Sequence, residues 1–272
     1  MPKRSIAAVI RGIERDMAST NGLLVAFSGG VDSAVVAALA RRALGDRTVA
    51  MTLDSQTFTP GELRETRRLA RLIGIRHIVR RYDELRDIRF RANPPDRCYN
   101  CKKGMARELR AQARKLGLGA VADGVNFSDL SEHRPGIRAA TEAGIMHPLM
   151  EHQVRKQDVR EIARALNIGV HDRPSSACLS SRIPYGEPIT ASKLEMVARA
   201  EAYLRKLGFR QVRVRFHGDI ARIEVDKGAI PKLTAEPLSR RVASYLRRIG
   251  FIYITADMDG YRSGSMDEAL DK

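Results

Sequence analysis

Along the chain, short apolar runs alternate with stretches of helical period. Ile6, Val9, Ile10, Ile13 and Met17 recur at the spacing of one helix face. Charges interrupt that apolar stretch, so it predicts an amphipathic helix and not a secretion signal. Residues 23–27 (LLVAF) predict a strand and Ser33 to Leu44 a helix. Residues 48–53 (TVAMTL) predict a second strand. Pro60 to Gly74 predicts a helix with proline in its first turn and glycine at its end. His77 to Arg80 is a third strand candidate, Lys102 to Leu116 a helix, 120–124 (AVADG) a strand and Lys156 to Leu166 a helix. Strands alternating with helices give an α/β class with a parallel sheet covered on both faces. Ligands of such sheets bind beyond the carboxyl ends of the strands.

The pattern changes near residue 185. IPYGEPIT is rich in Pro and Gly, as linkers are. Ser192 to Glu195 (SKLE) matches a capping box opening a helix that runs to about Leu207. QVRVRFHGD, ARIEVD, a helix at PLSRRVASYLRRIG and FIYITADM follow. Two domains are expected, 1–184 and a smaller α+β domain at 185–272.

Composition narrows the classes. Of 272 residues 43% are hydrophobic, enough for a core, so wholesale disorder is excluded. No apolar run reaches the ~20 residues of a membrane span. Lys and Arg number 48 against 32 Asp and Glu, a net charge of +16. That balance suits an anionic partner, although a solvated arginine-rich surface accounts for the same charge. Three cysteines are no disulfide framework, so a reduced, cytoplasmic protein is expected.

SGGVDS follows the first strand and precedes a helix. The glycines Gly29 and Gly30 let backbone approach a ligand, and a helix start points N–H groups at an anion. Asp32 or Ser33 is the expected cap of that helix. No G-K-[ST] follows, so this is not a Walker A loop. The hexapeptide resembles the PP-loop of ATP pyrophosphatases. The resemblance implies a Rossmann-like (adenine nucleotide alpha hydrolase-like) sheet, with ATP cleaved between its α and β phosphates. Ser28, Gly29, Gly30, Asp32 and Ser33 would then hold pyrophosphate, with Asp32 and Ser33 needed for adenylation. Asp54 and Ser55 end the second strand, where an adenosine would lie. Asp123, Gly124, Asn126 and Asp129 follow the strand at 120–124, where resembling enzymes carry Asp and Asn near the nucleotide or its Mg2+. Turn capping is the alternative for Asn126 and Asp129.

Cys98 and Cys101 form C-x-x-C in DRCYNCKKG, and Cys178 lies in RPSSACLSSRIPYG. Arg97, Lys102, Lys103, Arg173 and Arg182 lie close to them in sequence, and cationic neighbours favour thiolates. A redox pair lacks the thioredoxin context. A zinc site wants four ligands. Three thiolates suit an iron–sulfur cluster with one iron open, and three unrelated cysteines remain the bland alternative.

RPSSACLSSRIPYG, DRCYNCKK, RPGIRAA, RVRFHGDIARIEV and GYRSGSMDEAL span nearly the whole chain. Together they resemble the LarE family, ATP-dependent pyridinium-3,5-biscarboxylic acid mononucleotide sulfurtransferases that serve nickel-pincer nucleotide cofactor biosynthesis. The resemblance implies a substrate carboxylate adenylated by ATP, then attacked by sulfur with loss of AMP. In the family's single-cysteine form, the cysteine matching Cys178 donates its own sulfur and becomes dehydroalanine. This chain has all three cysteines and so resembles the form in which Cys98, Cys101 and Cys178 bind a 4Fe-4S cluster whose open iron carries sulfide. Arg213 and Arg215 alternate with Val212 and Val214, so both arginines project from one strand face. In the family the matching pair contacts the substrate phosphate. A polar sheet face is the alternative. Arg182 would orient a substrate carboxylate or phosphate, and Glu201 matches a family position near the substrate. Implied partners are an anionic pyridinium mononucleotide, a sulfide donor and further copies of the chain, with no membrane or nucleic acid. A tRNA thiolase shares the loop, cysteines and charge, but no zinc-ribbon set or RNA-binding module is present. An amidating ligase like NAD or GMP synthetase leaves the cysteines unused. A non-enzymatic nucleotide-binding module leaves the Arg strand unused as well.

Overall fold

The computed structural model of the protein describes residues 5–58, 60–131, 134–169, 178–262, 264–266 and 268. In chain order the elements are α1 (Ile6–Ala18), β1 (Leu23–Ala26), α2 (Val31–Leu44), β2 (Thr48–Asp54), α3 (Pro60–Ile73), β3 (Arg76–Arg81), α4 (Ile88–Arg91) and α5 (Arg97–Lys115). Then follow β4 (Ala120–Ala122), α6 (Pro135–Glu142), α7 (Pro148–Glu151), α8 (Lys156–Ala165), α9 (Ala191–Lys206), β5 (Val212–His217) and β6 (Ile220–Val225). The last are α10 (Ile230–Thr234), α11 (Leu238–Arg248) and β7 (Tyr253–Ala256). The chain divides into two compact units, one of residues 1–84 and 98–176, the other of 85–97 and 177–272.

The first unit is built on a four-stranded parallel sheet ordered β3-β2-β1-β4. β1 and most of β2 are buried on both faces, which is why LLVA and TVAMTLD read as continuous runs. Alternate residues serve different layers. Leu23 and Val25 pack with Ile13 of α1, the apolar residues of α2 and Ile162 of α8, whereas Leu24 packs with Ala106 and Leu109 of α5. Helices therefore cover both faces, and the α/β class holds. β3 is an edge strand with exposed Arg76, Arg80 and Arg81.

Two helix starts differ from expectation. Gly30, in extended backbone, is the N-cap of α2, because helical geometry begins at Val31 and puts Asp32 and Ser33 inside the first turn. α5 begins at Arg97 rather than Lys102, so Cys98 lies in its first turn and Cys101 opens the second.

The second unit has a three-stranded sheet ordered β5-β6-β7, with β5 and β6 antiparallel and β6 and β7 parallel. Leu194, Val197 and Leu204 of α9 are buried, as are Val212, Val214, Ile223 and Val225 of the strands. Each such side chain contributes about 1.5–3 kcal/mol on leaving water. Tyr203 of α9 stacks on Tyr245 of α11 at 3.9 Å between ring centroids. The cap of α9 is Thr190, whose hydroxyl accepts from Lys193 N at 3.2 Å, and not Ser192, which sits within the first turn. The Pro/Gly-rich stretch 183–190 is stitched into this unit. Buried Asn93 donates to the carbonyls of Pro184 (2.6 Å) and Glu187 (2.9 Å), and Ile189 N donates to Arg91 O.

Candidate functional site

Beyond Ala26, Phe27 prolongs the line of β1. Its carbonyl accepts from Thr52 Oγ1 at 2.7 Å, and His77 Nε2 lies 2.8 Å from the same hydroxyl. Because the Thr52 proton goes to Phe27, the imidazole donates from Nε2. Burial, reinforced by the Arg67 charge, lowers the His77 pKa from 6.5 to about 4, so the ring is neutral at pH 7. A neutral hydrogen-bonded chain thus fixes the strand end from which the phosphate loop springs.

The loop is held by its two serines. Ser33 Oγ accepts from Ser28 N (3.2 Å), donates to Gly30 O (3.1 Å) and lies 3.2 Å from Ser28 Oγ. Ser28 Oγ accepts from Gly30 N at 3.3 Å. Gly29 has φ +75°, and a Cβ there would lie 2.9 Å from Thr66 Cγ2, so glycine is required on both counts. The loop opens α2, whose first N–H groups and dipole attract an anion.

The end of β4 meets this loop. Gly124 packs on backbone, since a Cβ there would lie 2.6 Å from Ser33 N. Asn126 Nδ2 donates to Asp32 Oδ1 (3.2 Å) and to Asp129 Oδ2 (2.9 Å), while its Oδ1 accepts from Ser128 N. Asn126 therefore both shapes a turn and reaches the loop. The other Asp32 oxygen is ion-paired to Lys156, the first residue of α8. Burial raises the Asp129 pKa, with Asp32 adding to the rise and Asn126, Arg134 and Lys156 opposing it. Asp123 accepts from Val125 N (3.1 Å) and lies 2.7 Å from buried His147 Nδ1. Asp54 ends β2, half-buried. The neighbouring Ser55 hydroxyl donates to buried Glu84 at 3.1 Å, where burial pushes the carboxyl up against the hydrogen bonds from Thr57 and Ser55.

All three thiols are free of disulfides, with Cys98 and Cys178 exposed and Cys101 half-buried. Cys98 and Cys101, one helical turn apart on α5, belong to the first unit and Cys178 to the second. Within each unit, no group of three or more His, Cys, Asp or Glu among the described residues is arranged to hold a metal ion. Arg173 and the rest of 170–177 lie outside the described residues, as do Ser263, Asp267 and 269–272.

The second unit gathers the remaining candidates around two buried carboxylates. Arg182, 1% exposed, donates to Glu201 through Nε (2.7 Å) and Nη2 (3.2 Å). Glu201, 0% exposed, also accepts from Arg205 (2.6 Å) and Val214 N (3.2 Å). Burial alone would raise its pKa; Arg182, Arg205 and Arg213 outweigh that and lower it. Arg213 and Arg215 share a face of β5 as the alternation requires, yet both are buried, so this is no solvated sheet face. Arg213 donates to Val212 O and lies over the Tyr261 ring, 5.2 Å from its centroid. Burial and then Arg182 lower its pKa, and Glu201 opposes them. Arg215 grips Glu224 bidentately at 2.9 and 2.7 Å.

A family model described as NAD synthase matches residues 4–115, the segment that holds the phosphate loop and the C-x-x-C. An uncharacterized protein of Synechocystis is 43% identical over 92% of this chain and 93% of its own. The pyridinium-3,5-bisthiocarboxylic acid mononucleotide synthase of Lactiplantibacillus plantarum is 37% identical over 99% of this chain and 95% of its own. The chain belongs to that synthase family. A more distant relative is a glutamine-hydrolyzing GMP synthase chain of Methanoculleus marisnigri, 24% identical over 82% of each protein.

Three residues in this family member escape a reading of the sequence alone. Lys156 reads as an ordinary helix start, and only the fold brings it to Asp32. Glu84 lies in an unpatterned turn. Glu224 did leave a signal, because Arg222 and Glu224 alternate on one face of β6 as Arg213 and Arg215 do on β5, and the two strands pair. Among the described residues, no helix is long and apolar enough to cross a membrane.

Proposed function

We propose that the protein adenylates a carboxylate of pyridinium-3,5-biscarboxylic acid mononucleotide with ATP and replaces one carboxylate oxygen by sulfur, for nickel-pincer nucleotide cofactor biosynthesis. The observation that carries this reading is the 37% identity over 99% of the chain to the Lactiplantibacillus plantarum synthase. A substrate oxygen attacks the α-phosphorus, and pyrophosphate leaves into the loop of Ser28, Gly29, Gly30, Asp32 and Ser33. Asp54 faces the adenosine, and Asp32 and Asn126 lie where Mg2+ would accompany the phosphates. Sulfur then attacks the acyl carbon, and AMP departs. The acyl-adenylate makes a poor electrophile a good one for a sulfur nucleophile.

Arg213 and Arg215 hold the substrate phosphate, and Arg182 with Glu201 orients the anionic ring substituents. The cluster of buried arginines supports this, since planar guanidinium groups suit carboxylate and phosphate. Cys98, Cys101 and Cys178 are the residues that would hold a 4Fe-4S cluster, which would supply sulfide from its open iron. Their three thiols, none in a disulfide, fit that donor chemistry. The 185–272 region contributes substrate contacts and self-association.

Two measurements separate the sulfur sources. Protein purified without oxygen is expected to carry about four irons and to turn over repeatedly with added sulfide. Iron-free protein that is active once, and loses the mass of hydrogen sulfide at Cys178, would overturn the cluster and make Cys178 the sacrificial donor.

A further inference from the structure

The turn that carries Cys178 is fixed through its carbonyls. The Cys178 carbonyl accepts from Ser181 N (3.0 Å), Ser181 Oγ (2.8 Å) and Arg182 Nη1 (3.1 Å). The Ser181 carbonyl accepts from Arg215 Nη1 at 3.0 Å. Arg215 is itself immobilised. Its Nε and Nη2 donate to the Glu224 carboxylate at 2.9 and 2.7 Å. Nη2 also meets Ser265 Oγ at 3.0 Å, and that hydroxyl donates to Glu224 Oε1 at 2.9 Å. Glu224 is 0% and Ser265 8% exposed.

These bonds take up most of the guanidinium's five N–H groups. A fork gripped by a buried carboxylate has one orientation, so the Ser181 carbonyl is positioned from β6 and from the C-terminal segment. The exposed thiol of Cys178 donates to Ser180 Oγ at 3.4 Å, and both residues ride on the turn that the backbone restraint holds. We propose that Glu224 and Ser265 are positioning residues for Cys178: they lock Arg215, and Arg215 locks the thiol-bearing turn. The consequence for sulfur transfer rests on the reading of Cys178 given above, whereas the positioning itself does not.

The test follows alkylation of each cysteine by iodoacetamide with peptide mass spectrometry. It uses the full-length, reduced, chelator-treated protein without ATP or substrate. In Glu224→Gln and Ser265→Ala, Cys178 reacts about threefold faster or more, as in a locally loosened turn, while Cys98 and Cys101 react at the parental rates. Should Glu224→Gln fail to fold, Ser265→Ala and Arg215→Lys carry the test. An unchanged Cys178 rate in folded variants overturns the proposal, and so does an equal rise at all three cysteines, which reports general loosening. Faster Cys178 labelling in a chain whose Cys178→Ala variant still inserts sulfur upholds the positioning and rejects the sulfur-handling role.

Discussion

The ammonium of Lys156 is ion-paired to the carboxylate of Asp32, 124 residues away in sequence, at the mouth of the phosphate loop. A compact lysine cation on a flexible stem can leave a single carboxylate for the more highly charged phosphates of ATP. Lys156→Ala is expected to slow substrate-dependent pyrophosphate release by about 10²–10³, the usual loss when one preorganised donor is removed. The unfolding midpoint should barely move, because partly exposed pairs contribute about 0–1 kcal/mol. Asp32→Ala should lose pyrophosphate release and stay folded. Unchanged release in either variant would remove that residue from the adenylation site.

Gly124→Ala puts a methyl group 2.6 Å from the backbone nitrogen of Ser33, where no side chain can yield. The strain is about 1–3 kcal/mol. Calorimetric ATP affinity should weaken about tenfold, by roughly 1.4 kcal/mol per decade, together with a lower melting temperature. Parental affinity would show that the loop tolerates the displacement.

The two strand arginines should separate by stability. Arg215→Ala removes both guanidinium bonds to Glu224, which keeps Arg222 and Ser265, a loss of about 1.5–3 kcal/mol in denaturant unfolding. Arg213→Ala should cost less, because Glu201 keeps Arg182 and Arg205. Both should raise the substrate KM about tenfold or more, since charge-assisted bonds contribute about 1.5–3 kcal/mol. Parental KM values in both variants would count against the phosphate role.

His77 gives a pH signature. Its folded pKa, about 4, lies below its unfolded value of 6.5, so below 6.5 the unfolded chain binds the extra proton. Its contribution to stability is present above about 6.5 and is lost as the pH falls through about 4. His77→Gln should flatten the stability profile in that window. Parallel profiles for variant and parent would exclude it.

The α/β layer and the phosphate loop were legible because they rest on local patterns: apolar runs in β1 and β2, and glycines between a strand and a helix. The start of α5 was not, because Arg97 to Asn100 carries no apolar periodicity. The cap of α9 was misread because Thr190 and Ser192 are both good caps, and only the backbone decides where helical geometry begins. Arg213 and Arg215 were legible as a pair, but their burial depends on Glu201 and Glu224, carboxylates from a helix and a second strand. Lys156 was legible only in three dimensions.

The central claim is ATP-driven replacement of a carboxylate oxygen by sulfur. It is tested most directly by counting products from pyridinium-3,5-biscarboxylic acid mononucleotide, ATP and protein purified without oxygen. The expected result is AMP and pyrophosphate in equal amounts, one of each for every sulfur found in the product by mass spectrometry. Formation of ADP and phosphate, or AMP release that does not depend on the mononucleotide, would contradict it.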